Sequence, residues 1–216
     1  VNNKYYYFAQ GNKMQKVPEK FIVGFDEAGR GPLAGPVYAS AVILPEIFPV
    51  EVLNDSKKLS EKKRKIAENV IKQNACFGIS FVNHDEIDKI NILQASLLAM
   101  KNAFLKMIEM FPIWYENNYN QKCDISVCTF EGIVDGNFSP NVDFLCRHEP
   151  KADGKYPQVM AASILAKTSR DEFMIEMDKL YPDYGYAKHK GYPTKAHKEA
   201  CRKFGPSKIQ RLSFKY

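Results

Sequence analysis

No run of this chain is apolar for long enough to cross a bilayer. The longest, such as Ala39–Leu44, fall far short of the roughly 20 residues a spanning helix needs. Nor does any N-terminal stretch join a basic start, an apolar centre and a small-residue cleavage site, so the default expectation is a cytoplasmic protein. The five cysteines, Cys76, Cys123, Cys128, Cys146 and Cys201, are odd in number and irregularly spaced, which excludes a disulfide framework and a tetrahedral zinc pattern. Cys146 and His148 lie close together, but no further ligand pair stands at zinc spacing. They read as a buried thiol beside an unrelated histidine. Internal repeats and Ser/Gly-rich linkers are also missing, which argues against solenoids and strung domains. Disorder is excluded for most of the length by 12 Tyr, 14 Phe and one Trp. What remains is a 216-residue chain, 45% hydrophobic and 26% charged, sized for one substantial core.

Its charge is unevenly placed. The net +6 favours an anionic partner only weakly, but two basic clusters sharpen the point. Lys57, Lys58, Lys62, Lys63, Arg64 and Lys65 form one, which is as well explained by a solvated helix face. Lys188, Lys190, Lys195, Lys198, Arg202 and Lys203 form the other, with His189, Tyr192 and His197 interleaved, a mixture suited to a phosphate backbone with sugars or bases stacked beside it.

Hydrophobic periodicity predicts strands over Phe21–Phe25, Val37–Leu44, Ala75–Val82, Ile125–Val134 and, less regularly, Val142–Cys146. The first two are joined by a glycine and proline turn and should pair antiparallel. Ser60 followed by Glu61 marks a helix start, with Ile66, Val70 and Ile71 as its apolar stripe. A long helix over about 85–110 carries Ile87, Ile90, Leu93, Leu97, Met100, Phe104, Met107 and Phe111 at core spacing. Further helices are expected over about 158–180 and 194–204. In the first of these the small residues Ala161, Ala162 and Ser163 permit close approach to the sheet. Strands in hairpin order, then alternating with helices, point to an α/β protein with a mixed sheet. The expected divisions are an N-terminal extension over 1–19, a catalytic domain over 20–180 and a C-terminal helical extension over 181–216.

The chemistry is suggested by acids in unusual surroundings. Asp26 and Glu27 follow an apolar strand and precede a glycine turn. Asp135 ends another strand, and Asp153 lies just before the helix near 158. Carboxylates at element ends can converge at one edge of a sheet, and a cluster of hard oxygen ligands suits Mg²⁺ or Mn²⁺. Each alone is as well explained by a turn or a cap, but all four at element ends beside glycines are not. Neighbours on a straight strand face opposite ways, so Asp26 and Glu27 share a site only if the chain bends there, or if Glu27 lends its backbone carbonyl. The stretch Gly24–Gly31 is not a phosphate loop, because Pro32 stands where Lys would follow. Gly29 and Gly31, flanking Arg30, instead let backbone come close to a ligand, where it can sense a 2′-hydroxyl.

These residues carry a resemblance. Gly24-Phe25-Asp26-Glu27-Ala28-Gly29-Arg30-Gly31-Pro32-Leu33-Ala34-Gly35-Pro36-Val37 resembles the signature of the type 2 ribonuclease H family, ribonuclease HII. The likeness continues through Asp55-Ser56-Lys57-Lys58-Leu59-Ser60, Ile90-Asn91-Ile92-Leu93-Gln94-Ala95, Val134-Asp135-Gly136-Asn137 and Lys151-Ala152-Asp153. It then runs through Ala161–Lys167, His189-Lys190-Gly191-Tyr192 and Gly205-Pro206-Ser207 to Arg211-Leu212-Ser213-Phe214. It spans roughly residues 20 to 214. Departures stand at Ala152 and at Tyr156-Pro157, a variant similar to archaeal relatives, and residues 1–19 match no motif.

The resemblance implies a ribonuclease H-like fold, with a five-stranded mixed sheet flanked by helices and a C-terminal helical extension. It implies four metal-holding acids, matched by Asp26, Glu27, Asp135 and Asp153. Gly29, Arg30 and Gly31 would contact the ribonucleotide's 2′-hydroxyl, Tyr192 the adjoining sugar, and Lys57 and Lys58 the backbone phosphates. The expected reaction is hydrolysis of the RNA strand of RNA/DNA hybrids, and incision 5′ to ribonucleotides in duplex DNA. It would use two divalent ions, Mg²⁺ or Mn²⁺, and leave a 5′-phosphate and a 3′-hydroxyl. The protein is expected to act as a monomer, on nucleic acid and away from membranes. Three alternatives stand beside this reading. A ribonuclease HIII-like enzyme would carry an extra N-terminal domain, a Glu in place of Asp153 and no Gly-Arg-Gly. A catalytically inactive relative would bind nucleic acid without cutting it. A basic structural protein would leave the acidic cluster unexplained.

Overall fold

The computed structural model describes residues 18, 20–54 and 59–215, so Lys57 and Lys58 lie outside the described residues. Five strands, β1 (Phe21–Ala28), β2 (Val37–Ile43), β3 (Cys76–Val82), β4 (Phe130–Asp135) and β5 (Cys146–Glu149), form one sheet in the order β3-β2-β1-β4-β5. β2 lies antiparallel to both β1 and β3, whereas β4 runs parallel to β1 and β5 parallel to β4. The sheet is therefore mixed, and the C-terminal ends of β1, β4 and β5 lie along one edge.

The period-two alternation of the strands divides the core. Phe21, Val23 and Phe25 of β1 and Val37, Ala39, Ala41 and Ile43 of β2 pack against α2 (His84–Tyr119) on one face. Val42 meets α1 (Glu61–Asn74) and α3 (Pro157–Leu180) on the other, and Ile22 and Ile133 lie with Val159 of α3. Ala95, Ala99 and Ala103 are fully buried, and a Cβ on Gly78 would fall 2.0 Å from the Ala103 carbonyl, so small residues let α2 lie directly on β3.

Several boundaries differ from the sequence-based expectation. The α1 stripe is Ala67, Val70 and Ile71, with Ile66 exposed, because those three, at i, i+3 and i+4, are the ones that pack into the cluster of Val42, Ile164 and Leu165. α2 is two helices joined at Asn91, whose φ of 68° breaks the first and whose Oδ1 accepts from the amides of Leu93 and Gln94 to start the second. It continues past Met110, through Pro112, because Trp114, Tyr115 and Tyr119 go on burying rings around Phe21. Ile125–Val127 is a 3-10 turn capped by Asp124, which leaves β4 to begin at Phe130. β5 lies later than expected, over the polar run Cys146–Glu149, because its pairing with β4 (Gly132 with Cys146, Asp135 with Glu149) outweighs its composition.

The chain from 181 onward folds back on the turn between β1 and β2. It comprises α4 (Tyr186–His189), α5 (Lys195–Phe204) and a final extended segment. The amide of Leu33 donates to the Gly191 carbonyl (2.8 Å), that of Gly35 to Ile209 (2.8 Å), and that of Arg211 to Leu33 (2.8 Å). Tyr186 and Ile209 bury with Ala34 and Met174. Among the described residues no helix is long and apolar enough to cross a membrane.

Candidate active site

β1 and β4 are parallel neighbours whose register pairs Phe25 with Val134, so the next residues, Asp26 and Asp135, stand side by side. Both belong to the face that looks toward α3, the face of Ile22 and Ile133. Asp153 joins them from the short turn Ala152–Gly154 that leads into α3, entered through Lys151 in a left-handed conformation (φ 64°). Asp135 Oδ1 accepts from the Ala152 amide at 2.8 Å, which draws that turn against the end of β4. As a result one carboxylate oxygen from each of Asp26, Asp135 and Asp153 lies within 4.8 Å of the others.

Like charges this close need a reason. Asp26 is 5% exposed, and its carboxyl is pushed well above the ordinary carboxylate range. The main cause is burial and the second is the charge of Glu27. Asp135 adds to the rise, while hydrogen bonds from Ser163 and from the Glu27 amide (2.7 Å) oppose it. A divalent cation would reverse that balance. The donors are all hard oxygens, their spacing fits ligands on a shared ion, and a buried, electron-rich pocket is what such an ion stabilises.

Glu27 is not in the cluster. β1 stays in register through Ala28, so no bend turns Glu27 to the face of Asp26. Its carboxylate instead lies 3.4 Å from Arg30 Nη1. The turn it enters is built from special backbone. Gly29 has φ 102°, and a Cβ there would fall 2.0 Å from Arg170 Nε. Arg30 and Gly31 are exposed, and a Cβ on Gly31 would lie 3.6 Å from the Tyr192 ring. Turn and tyrosine thus lie against each other just past the end of β1, the strand that carries Asp26. Tyr192 is 43% exposed, and its backbone is held by the His189 carbonyl and by His197 Nδ1.

The second basic cluster needs a correction. His197 is fully buried and stacked on half-buried His189 (centroids 4.6 Å apart), and the two imidazoles hold the backbone of Tyr192 and Gly191 rather than standing interleaved among surface cations. In the first cluster Lys65 is committed to ion pairs with Glu68 (3.0 Å) and Glu172 (2.6 Å). Sequence reasoning assigned no role to Ser163, valued only for its size in a run of small residues, to Arg170, which looks like an ordinary surface charge, or to Arg211, which entered only as part of the terminal motif.

A mixed sheet of this order, with carboxylates from the ends of two central strands and from a helix entrance meeting at one edge, defines the ribonuclease H class of nucleases. The model for ribonuclease HII matches residues 23–216, and the chain belongs to that family. A ribonuclease HII from Treponema denticola is 48% identical over 197 residues, covering 89% of this chain and 97% of its own. Among solved structures, the ribonuclease H2 of Pyrococcus horikoshii OT3 is similar in fold (TM-score 0.64, 23% identity, covering 90% of this chain and 94% of its own). So is a ribonuclease HIII, Bst-RNase HIII, in complex with Mn²⁺ (TM-score 0.59, 17% identity, covering 91% of this chain and 67% of its own). The protein is a ribonuclease H, an endonuclease.

Proposed function

We propose that this enzyme incises duplex DNA on the 5′ side of an embedded ribonucleotide, and also hydrolyses the RNA strand of RNA/DNA hybrids, leaving a 3′-hydroxyl and a 5′-phosphate. The observation that carries this reading is the convergence of Asp26, Asp135 and Asp153 beside a glycine turn backed by an exposed tyrosine. Two divalent ions, Mg²⁺ or Mn²⁺, would supply Lewis acidity for water activation and for the charge that develops on the departing 3′-oxygen.

The residues divide the remaining work. Asp26, Asp135 and Asp153 hold the ions, and none acts as a nucleophile. Ser163 orients the Asp26 carboxyl. Glu27 adds negative charge beside Asp26, offers its backbone carbonyl at the cluster and steadies Arg30 through its side chain. Backbone of Gly29, Arg30 and Gly31 meets the ribose, where only a 2′-hydroxyl completes the hydrogen bonding, and Tyr192 packs on the next sugar. Lys57, Lys58 and the exposed lysines of α5 bind phosphates without regard to sequence, so affinity falls steeply with salt. Asp153 and the Gly-Arg-Gly turn favour this reading over a ribonuclease HIII-like one.

The test is cleavage of an end-labelled DNA duplex with one ribonucleotide, in Mg²⁺ and in Mn²⁺, with both product ends mapped. A single nick 5′ to the ribonucleotide with the stated termini is expected. Metal-independent cleavage, a nick on the other side, or binding without cutting would each refute the proposal.

A further inference from the structure

Behind the glycine turn stand two cations for which the hydrolysis itself has no use. Arg211 is fully buried. It donates from Nη2 to the carbonyl of Gly29 (2.7 Å), from Nη1 to those of Arg30 (3.1 Å) and Pro32 (2.9 Å), and from Nε to that of Gly35 (2.8 Å). Arg170, 1% exposed, donates from Nε to Pro36 (3.0 Å), from Nη2 to Ala34 (3.1 Å) and from Nη1 to Lys190 (2.9 Å). All seven of these acceptors are backbone carbonyls, and six belong to the turn.

Stability alone is a poor reason for such an arrangement. Burying a guanidinium is expensive, and here two lie near each other. Burial, and after it the charge of Arg170, pushes Arg211 down to about 9. Apolar side chains would fasten the C-terminal segment to the turn at lower cost. What a planar fork of fixed donors does, and hydrocarbon does not, is orient several carbonyls at once. By drawing the carbonyls of Gly29, Arg30 and Pro32 inward, Arg211 fixes the peptide planes on both sides of Arg30 and the one after Pro32, and so brackets Gly31, where the turn meets Tyr192.

α3 ties this clasp to the acidic cluster. Ser163, Arg170 and Met174 are spaced to share one helix face. Ser163 bonds Asp26, Arg170 bonds the turn, and Met174 lies where Cβ atoms on Gly35 and Gly191 would fall, at 2.6 Å and 3.3 Å. A single rigid helix therefore sets the distance from the carboxylates to the turn.

We propose that Arg211, backed by Arg170, is a positioning residue for substrate selection. Its guanidinium sets the peptide planes of Gly29-Arg30-Gly31 and thereby how strictly the enzyme requires a 2′-hydroxyl at the scissile nucleotide. This rests on the reading of that turn given under the proposed function.

Arg211→Lys keeps the charge and loses the fork. Cleavage of two duplexes is compared, one with a single ribonucleotide and one with a 2′-fluoro nucleotide in its place, and Mn²⁺ binding to the free enzyme is followed by calorimetry. The variant is expected to lose about 10- to 100-fold in kcat/KM on the ribonucleotide and much less on the 2′-fluoro duplex, with Mn²⁺ binding intact. An equal fall on both substrates, the mark of a smaller folded fraction, would overturn the proposal. If Arg211→Lys loses Mn²⁺ binding and with it the fold, Arg170→Lys is judged by the same ratio and the same two outcomes. Gly31→Ala, which places a methyl in ordinary contact with Tyr192, separates the role of the turn from that of Arg211. If it leaves the ratio unchanged, the turn does not read the sugar and the parent reading fails. If it alone moves the ratio, only the role given to Arg211 fails.

Discussion

The acidic cluster and the arginine clasp occupy neighbouring stretches of chain, at the end of β1 and in the turn that follows, and they are balanced in opposite ways. In the cluster, carboxylates of one sign are brought together by sheet register and a helix entrance, and Asp26 bears the consequence as a raised pKa. In the clasp, two cations are answered by seven fixed carbonyl dipoles, which take up four of the five N–H groups of Arg211 and three of the five of Arg170. Like charges held together gain from binding a counter-charge, whereas cations met by fixed dipoles hold their surroundings still. The first has the character of a binding site and the second of a scaffold, although each would count simply as charge in a composition table.

Substitution should separate the two most sharply at Asp135. Asp135→Asn keeps the shape and the acceptor for the Ala152 amide while removing a ligand charge. Activity in saturating Mg²⁺ should drop by about 10³-fold or more, equivalent to roughly 4 kcal/mol of barrier. In a chelator the same variant should melt no lower than the parent, because it relieves repulsion. A variant that cuts at the parental rate, or that unfolds for want of the carboxylate, would erase the distinction between site and scaffold.

The two regions also differed in how well the sequence disclosed them. Asp26, Asp135 and Asp153 sit at ends of elements whose hydrophobic periods are clear, so their convergence followed from topology once the strands were placed. Glu27 was the ambiguous member, and strand alternation, which the sequence already implied, is what kept it on the other face. Arg170 offered no such signal, and Arg211 stood in the terminal Arg211-Leu212-Ser213-Phe214 motif with no role attached to it. A helical arginine and one in a terminal segment are ordinarily solvated, and only the return of the chain across the turn buries them. β5 was misplaced for a related reason: its pairing with β4 is a tertiary fact that Arg147, His148 and Glu149 do not advertise. The hold of His189 and His197 on the backbone of Gly191 and Tyr192 was hidden in the same way, since histidines among lysines read as surface residues.

On the scaffold side the largest effect is expected at Gly29. Alanine there meets both a φ of 102° and the Arg170 side chain 2.0 Å from its new methyl, so the turn must move or the clasp must open. Gly29→Ala should cost about 2–4 kcal/mol of stability, read as a lower Tm in the presence and absence of metal alike. Recovery of the parental Tm on adding Mn²⁺ would mean that the turn and the cluster are one cooperative unit and not a site beside a separate scaffold.

The smallest effect concerns what anchors the clasp from outside. Asp88, near the start of α2, accepts from the amides of Leu212 (2.8 Å) and Ser213 (3.0 Å) and from the Ser213 hydroxyl, and so ties down the residues that follow Arg211. Burial raises its pKa, but the bonds from Ser213 and Leu212 outweigh that, and His84 adds to them, so the carboxyl is held below its usual range. A depressed folded-state pKa contributes stability that is present above the unfolded value, about 4 for aspartate, and is lost as the pH falls through the folded one. Asp88→Asn should therefore cost about 1 kcal/mol or less at pH 7, the carboxylate being largely solvated, and the difference should close as the parent is acidified. Amide exchange at Leu212 and Ser213 is the most direct measure, since it reports the tie itself apart from global unfolding. A gap between parent and variant that persists unchanged to pH 3 would mean that the charge on Asp88 contributes nothing, and that the segment carrying Arg211 is held by the clasp alone.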